Sequence, residues 1–395
     1  MLGVVGGLLF VGYGLEALGE RTGVPDVLLL IALGVAAHAS GLLDVRHVGL
    51  AGPVLANLAL VVILFEGALH MDARKLLGTL PRALLLTLLN LVGAGGVAAT
   101  AGLLLGFSVP TTIVFGAAVS ATSATVLLPL IGRLHLSRPV VSLASSEAML
   151  GDVLSIVTVL TTVAVVRAGV FSIGTLLRQV GLRFGASLAA GAVAGALWAL
   201  VLRRLRRVRP ALLPTVAALL VLYPIFEWLQ LGGALATFAF GLMLGNAPGL
   251  LGRRGGGVAL ALTDGETLFF AEVSFLLKTF FFTYLGATIP LRHPADFATG
   301  AGLGLVAMAA RRPITLLATR GMAAVDRRQL AALGPRGLIA AVLAQIPVDA
   351  GWVQGAVIEP LISGAIVSTV AISSLLLWRE RLLAQPAVVA SPTAW

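Results

Sequence analysis

Apolar runs of about 20 residues, each long enough to cross a hydrocarbon layer of roughly 30 Å, recur from Gly3 to Leu377 with only short polar breaks between them. Inside a bilayer every backbone N–H and C=O must be bonded within the protein, so runs of this length are helices, and the chain reads as an all-α polytopic membrane protein. Composition agrees: 58% of the 395 residues are apolar and 11% charged, with a mean hydropathy of +1.03, against roughly 25% charged in a soluble domain. No cysteine is present, which excludes disulfides and thiolate metal sites. The first run lacks the basic leader and small-residue cleavage pattern of a secretory signal, so it is expected to stay as a helix. No cofactor is expected.

We place about thirteen spans, near residues 2–19, 26–41, 50–70, 83–106, 110–131, 139–166, 184–202, 211–230, 232–248, 267–289, 296–319, 331–348 and 354–378. A net charge of +10 would suggest nucleic acid in a soluble protein, but here the basic residues sit between apolar runs and report topology; no nucleic-acid partner is expected. With the N-terminus outside, eighteen of the 27 Lys and Arg residues fall in cytoplasmic segments, and five (Arg46, Arg167, Arg178, Arg183 and Arg292) fall outside. That asymmetry predicts a multi-pass protein of the cytoplasmic membrane with its N-terminus outside and its C-terminus in the cytoplasm. Residues 1–395 form one transmembrane domain. It divides into a first repeat (1–166), a linker helix with a basic loop (167–210), a second repeat (211–378) and a short cytoplasmic tail (379–395). Two six-span blocks separated by one span have inverted topologies.

Two spans at matching places in these blocks read as broken. Span 5 contains Ser120-Ala-Thr-Ser-Ala-Thr125 followed by Pro129, and span 12 contains Gly334-Pro-Arg-Gly337. Interrupted helices at corresponding positions of two halves point to a binding site at the bilayer midplane, whereas ordinary kinks would carry no such meaning.

An ionisable side chain at that depth costs a few kcal/mol on insertion scales and needs a partner, water or a task. The rise per helical residue puts Asp152 ~20 Å into span 6, Lys278 ~17 Å into span 10 and Thr122 ~18 Å into span 5. Asp152 reads as a carboxylate that holds a proton and a cation in turn, or else as a structural acid neutralised by Lys278 or a backbone amide. Glu147 and Arg336 enter from the cytoplasmic side to about 12 and 8 Å, and we expect them to form a structural ion pair tying spans 6 and 12 together. Glu66, in Phe65-Glu-Gly67 near the inner end of span 3, either lines a water-filled funnel or snorkels. Thr122, Ser123 and Thr125 offer hydroxyl or freed carbonyl oxygens of the kind Na+ or K+ prefers, or bond back to the preceding turn. Lys278 balances Asp152 or satisfies Glu272. Arg311 and Arg312 are expected to snorkel toward the cytoplasm.

These residues resemble the monovalent cation/proton antiporter (sodium/hydrogen exchanger) family, and its NhaP-like branch in particular. Leu64-Phe-Glu-Gly-Ala-Leu69 is similar to the third-helix signature. Ala121-Thr-Ser-Ala-Thr-Val126 falls where the family has an unwound Ala-Thr-Asp-Pro segment, and Ser146-Glu-Ala-Met-Leu-Gly-Asp152 falls on its Glu-Ser-x-x-Asn-Asp helix. Phe275 to Gly286 resembles the tenth-helix pattern, and Gly334-Pro-Arg-Gly337 the Gly-x-Arg-Gly break. The resemblance implies broken helices that cross at the midplane, and an essential aspartate at Asp152. It implies a monovalent cation held by Asp152, Glu66 and the backbone of Thr122, and a Glu147–Arg336 pair. It also implies a homodimer whose core moves past a dimerisation domain. The chain departs from the pattern at Gly151, Ala148 and Ser123, which stand where the family has Asn, Ser and Asp. Gly151 offers no second carboxylate beside Asp152, which points to electroneutral one-for-one exchange of Na+ or K+ for H+.

Two rival classes have sequence tests. A cation channel of related inverted-repeat fold would conduct without proton coupling, and an anion-coupled symporter would aim more basic groups at the midplane than Lys278 alone. An intramembrane aspartyl protease needs two membrane aspartates, a serine protease a Gly-x-Ser-Gly segment with a membrane histidine, and a prenyltransferase Asp-rich motifs; all are absent, so no enzyme is expected.

Overall fold

A computed structural model of the chain describes residues 2–22, 24, 26–42, 51–124, 126–127, 131, 136–169, 171–205, 212–229, 231–251, 262–289 and 294–384. Among these are fourteen helices: α1 (Leu2–Thr22), α2 (Asp26–Ala39), α3 (Ala51–Leu69), α4 (Ala73–Leu104), α5 (Val109–Ser120), α6 (Arg138–Arg167), α7 (Ile173–Leu205), α8 (Leu212–Trp228), α9 (Gly233–Leu251), α10 (Asp264–Thr288), α11 (Pro294–Ala318), α12 (Ala324–Ala332), α13 (Leu338–Asp349) and α14 (Gly355–Ala384). Each expected span coincides with one helix, except that span 5 is interrupted after α5 at 121–123, and span 12 takes in the end of α12, the break at 333–337 and α13. Seven of the helices, α4, α6, α7, α9, α10, α11 and α14, are long and apolar enough to cross a membrane by length and composition. The protein is a multi-pass membrane protein.

Helices α4 and α7 begin at Ala73 and Ile173, well upstream of their apolar runs at 83 and 184. Hydropathy marks only what lies in hydrocarbon, and these first turns carry Arg74 and Arg178, which belong at the interface. Other starts are written in the local sequence. Ser108 and Ser137 cap α5 and α6 by accepting from the backbone N–H of Thr111 and Val140, with Pro110 and Pro139 in the first turn. Thr263 and Glu266 form a reciprocal capping box at α10.

The helices fall into two packed groups. In one, α4, α5 and α6 pack on one another, α11 packs with α12 and α14, and α13 with α14, while α4 against α11 joins the two sets. In the other, α2 packs on α10, α3 on α9 and α10, and α9 on α7 and α8. Lipid gives no hydrophobic force between helices, so close approach is what gains dispersion energy, and small residues permit it. A Cβ on Gly34 of α2 would collide with the backbone of Thr283, Gly286 and Ala287 of α10, and one on Gly286 with the backbone of Ile31. Gly34→Val is therefore expected to cost about 1–3 kcal/mol, read as a lower unfolding temperature in detergent. Gly3→Val, at a position with open space around it, should leave that temperature unchanged.

The breaks are held by each other. Helix α5 ends at Ser120, residues 121–123 are not helical, and helix resumes at Ala124; residues 333–337 separate α12 from α13. Ser123 N–H donates to the Pro335 carbonyl at 2.8 Å, and Arg336 N–H donates to Thr369 Oγ1 at 3.0 Å. Leaving the helix orphans backbone groups where there is no water to take them, and these bonds supply partners. Thr125 and Pro129, part of the expected break in span 5, lie outside the described residues, as do the last eleven residues of the expected tail.

Candidate cation and proton site

Asp152 sits midway along α6 and is buried, with 1% of its surface exposed. Its Oδ2 accepts from the backbone N–H of Ala124 at 3.2 Å, a donor freed by the break after α5. Its Oδ1 is buried and has no hydrogen-bond partner among the described residues. A buried carboxylate oxygen needs a proton, a cation or a donor to offset its desolvation. The opening beside it is a cavity of about 400 Å³, walled by Ala124, Met149 and Asp152 from one helix group and by Glu66, Phe238, Ser274 and Lys278 from the other, with Tyr13 and Glu16 of α1. Glu66 is partly exposed, and its Oε1 lies 3.3 Å from Nδ1 of the half-exposed His70. Lys278 Nζ lies 4.0 Å from Oδ2 of Asp26, the first residue of α2.

Behind Asp152 is a second buried polar cluster that lines no part of this cavity. Glu147 and Arg311 form a two-point ion pair, Nη1 to Oε1 at 2.7 Å and Nη2 to Oε2 at 2.6 Å. Asn90 Nδ2 donates to Oε1 at 2.9 Å and Thr122 Oγ1 donates to the same oxygen at 3.1 Å. Arg336 is fully buried beside them, with Nη1 3.4 Å from Thr122 Oγ1, and its Nε and Nη2 have no partner among the described residues.

The expected Glu147–Arg336 pair is thus corrected: the partner of Glu147 is Arg311, so the pair ties α6 to α11 and leaves Arg336 next to it. Arg311, expected to snorkel, is fully buried, while its neighbour Arg312 is exposed. The sequence held a signal for this. Arg311 lies eight residues from the inner end of span 11, about 12 Å deep, which matches Glu147 better than Arg336 does. Depth does not say which way a side chain points around its helix; the two guanidinium N–H donors of Arg311 meet both oxygens because α11 and α6 both pack on α4. Lys278, a possible partner for Asp152, shares its cavity but pairs with Asp26. The side chains of Thr122 and Ser123 do not line the cavity. The Thr122 hydroxyl is taken up by Glu147 and the two arginines, and Ser123 is buried against the second break; Ala124 faces Asp152 instead. Asn90 and Asp26 carried no readable signal, since an amide in an apolar run and an acid at a span boundary both look ordinary.

Residues 6–378 match the family model for the transmembrane sodium/hydrogen exchanger. The chain is 23% identical over 355 residues to a protein of Methanocaldococcus jannaschii described as probable Na(+)/H(+) antiporter 2, covering 85% of this chain and 82% of that one. Its fold is shared with the sodium proton antiporter MjNhaP1 of the same organism at pH 8, with a TM-score of 0.77, 21% identity and 97% of this chain covered against 98% of the other. A second structure of MjNhaP1, from an electron-microscopy map, gives 0.71 and 20% identity with 99% of each chain covered. With a family match spanning nearly its whole length and a fold to agree, the chain belongs to the sodium/hydrogen exchanger family of membrane transporters.

Proposed function

We propose that the protein exchanges Na+ for H+ across the cytoplasmic membrane by alternating access, with Asp152 binding cation and proton in competition. The observation that carries this is the bare, buried Oδ1 of Asp152 at the wall of a cavity that Glu66 shares. Glu66 draws cations to the cavity mouth, and the Ala124 N–H holds the carboxylate toward it. Thr122 enters through its backbone carbonyl in the break, because its hydroxyl is committed elsewhere. K+ remains an alternative cargo to Na+.

Charge balance favours one-for-one exchange. Two buried arginines, Arg311 and Arg336, stand with two buried carboxylates, Glu147 and Asp152. The cluster is neutral when Asp152 is ionised, and it gains one charge whether Asp152 takes a proton or a monovalent cation. The two loaded forms then cross with equal electrostatic cost.

In this reading thirteen spans form two inverted repeats, 1–166 and 211–378, joined by the linker 167–210, with the N-terminus outside. Packing supports it: α4–α5–α6 matches α11–α12/α13–α14, and the α2–α10 and α3–α9 contacts exchange under such a two-fold. The distribution of basic residues then opens the cavity toward the cytoplasm. The homodimer implied by the family resemblance belongs to the same proposal.

The test is purified protein in proteoliposomes with an internal pH dye, given Na+, K+ or Li+ at several clamped potentials. Addition of Na+ is expected to drive a pH change of the same size at every potential. Cation flux without a pH change would make the protein a channel, and a pH change driven by anions alone would make it a symporter.

A further inference from the structure

Helix α2 is short, and it starts at a buried residue. Its first residue, Asp26, lies level with Lys278, midway along α10. Eight residues on in each chain segment, Gly34 meets Gly286 and Ala287 backbone to backbone, so the two helices run parallel and in register. The side chains of Asp26 and Lys278 are both largely buried, 6% and 18% exposed. Apart from this contact, Lys278 has no ion-pair partner among the described residues.

Lys278 also lines the cavity that holds Glu66 and Asp152. The charged groups around that cavity are Glu16 on α1, Glu66 on α3 with His70 beside it, Asp152 on α6, and Glu272 on α10 itself. A lysine side chain has four rotatable carbons, and its ammonium is a monovalent cation of the same charge as the cargo. Left to itself, it is a tethered competitor for the carboxylates of the site. Nearby N–H groups at the start of α2 repel an ammonium, so the Asp26 carboxylate is what makes the wall position favourable.

We propose that Asp26 is a positioning residue that anchors the Lys278 ammonium to the cavity wall and so keeps Glu66 and Asp152 open to cations. It acts through Lys278 and touches neither cargo. This inference rests on the transport reading above, and it separates from it because it concerns the affinity and not the existence of exchange.

The experiment measures Na+-driven proton exchange in proteoliposomes for the parent, Asp26→Asn, Asp26→Glu, Lys278→Met and the double Asp26→Asn/Lys278→Met, each shown to elute as folded protein in detergent. Asp26→Asn should raise the KM for Na+ about tenfold or more, with the maximal rate within about twofold of the parent. The double variant should return the KM to near that of Lys278→Met, and Asp26→Glu should stay near the parent. An unchanged KM in Asp26→Asn, or a double variant as impaired as Asp26→Asn alone, would overturn the positioning role while exchange by the parent left the transport reading standing. A parent that exchanges nothing would overturn both.

Discussion

Asp152→Asn is expected to insert and fold at the parent's yield and to exchange no protons for Na+, a loss of at least about a hundredfold, the scale on which removing a group that binds the transported ion acts. The fold survives because asparagine is the same size and its carbonyl oxygen accepts from Ala124 N–H as Oδ2 does. Transport fails because the amide neither titrates nor neutralises a cation. Proteoliposome exchange measured beside size-exclusion elution separates these outcomes. In the parent, a single carboxylate cannot hold both cargoes, so lowering the pH on the cation-loading side should raise the KM for Na+ in proportion to proton concentration once Asp152 is mostly protonated. Asp152→Asn protein that still couples Na+ to H+ would refute the assignment and turn attention to Glu66.

The largest stability effect is expected at the Glu147–Arg311 pair. Arg311 is fully buried and Glu147 almost so, 2% exposed, with four donors converging on the carboxylate. Arg311→Met alone strands an ionised carboxylate in the membrane core and should cost about 3–5 kcal/mol, seen as a collapse in folded yield in detergent. Glu147→Gln with Arg311→Met removes both charges and keeps an acceptor for Asn90 and Thr122, so it should recover part of that yield. Exchanging Glu147 with Arg336 should rescue nothing, because these two do not form the pair. A single Arg311→Met variant as stable as the parent would show that the pair contributes little to the fold.

Much of this protein is legible along one dimension. Hydropathy and the 1.5 Å rise per helical residue determine how many runs there are, where they break, and how deep each polar side chain lies. That was enough to name Asp152, Glu66 and Lys278, which the structure brings to one cavity, and to expect interruptions at Ser120–Thr125 and Gly334–Gly337, where the structure leaves residues 121–123 and 333–337 non-helical. Caps such as Ser108, Ser137 and Thr263 are likewise local, because a side chain and a backbone N–H two or three residues away need no third element to find each other.

What depth does not contain is direction. A helix buried in lipid and protein is apolar on every side, so it carries no polar stripe to say which neighbour a given side chain meets. Arg311 and Arg336 reach comparable depths, and only the packing of α4 against both α6 and α11 decided that Arg311 takes Glu147. In the same way the Thr122 hydroxyl went to the ion pair and not to the cavity. The close packing of α2 on α10 through Gly34 and Gly286 brought Asp26 down to Lys278. The sequence by itself determined the membrane class, the helical runs and the breaks, since those follow from transfer free energies and helix geometry acting locally. Which charges meet was decided by the tertiary structure, because an ion pair depends on rotation about the helix axis and on a neighbour that lies 164 residues away in the chain, as Arg311 does from Glu147, as readily as four, as His70 does from Glu66.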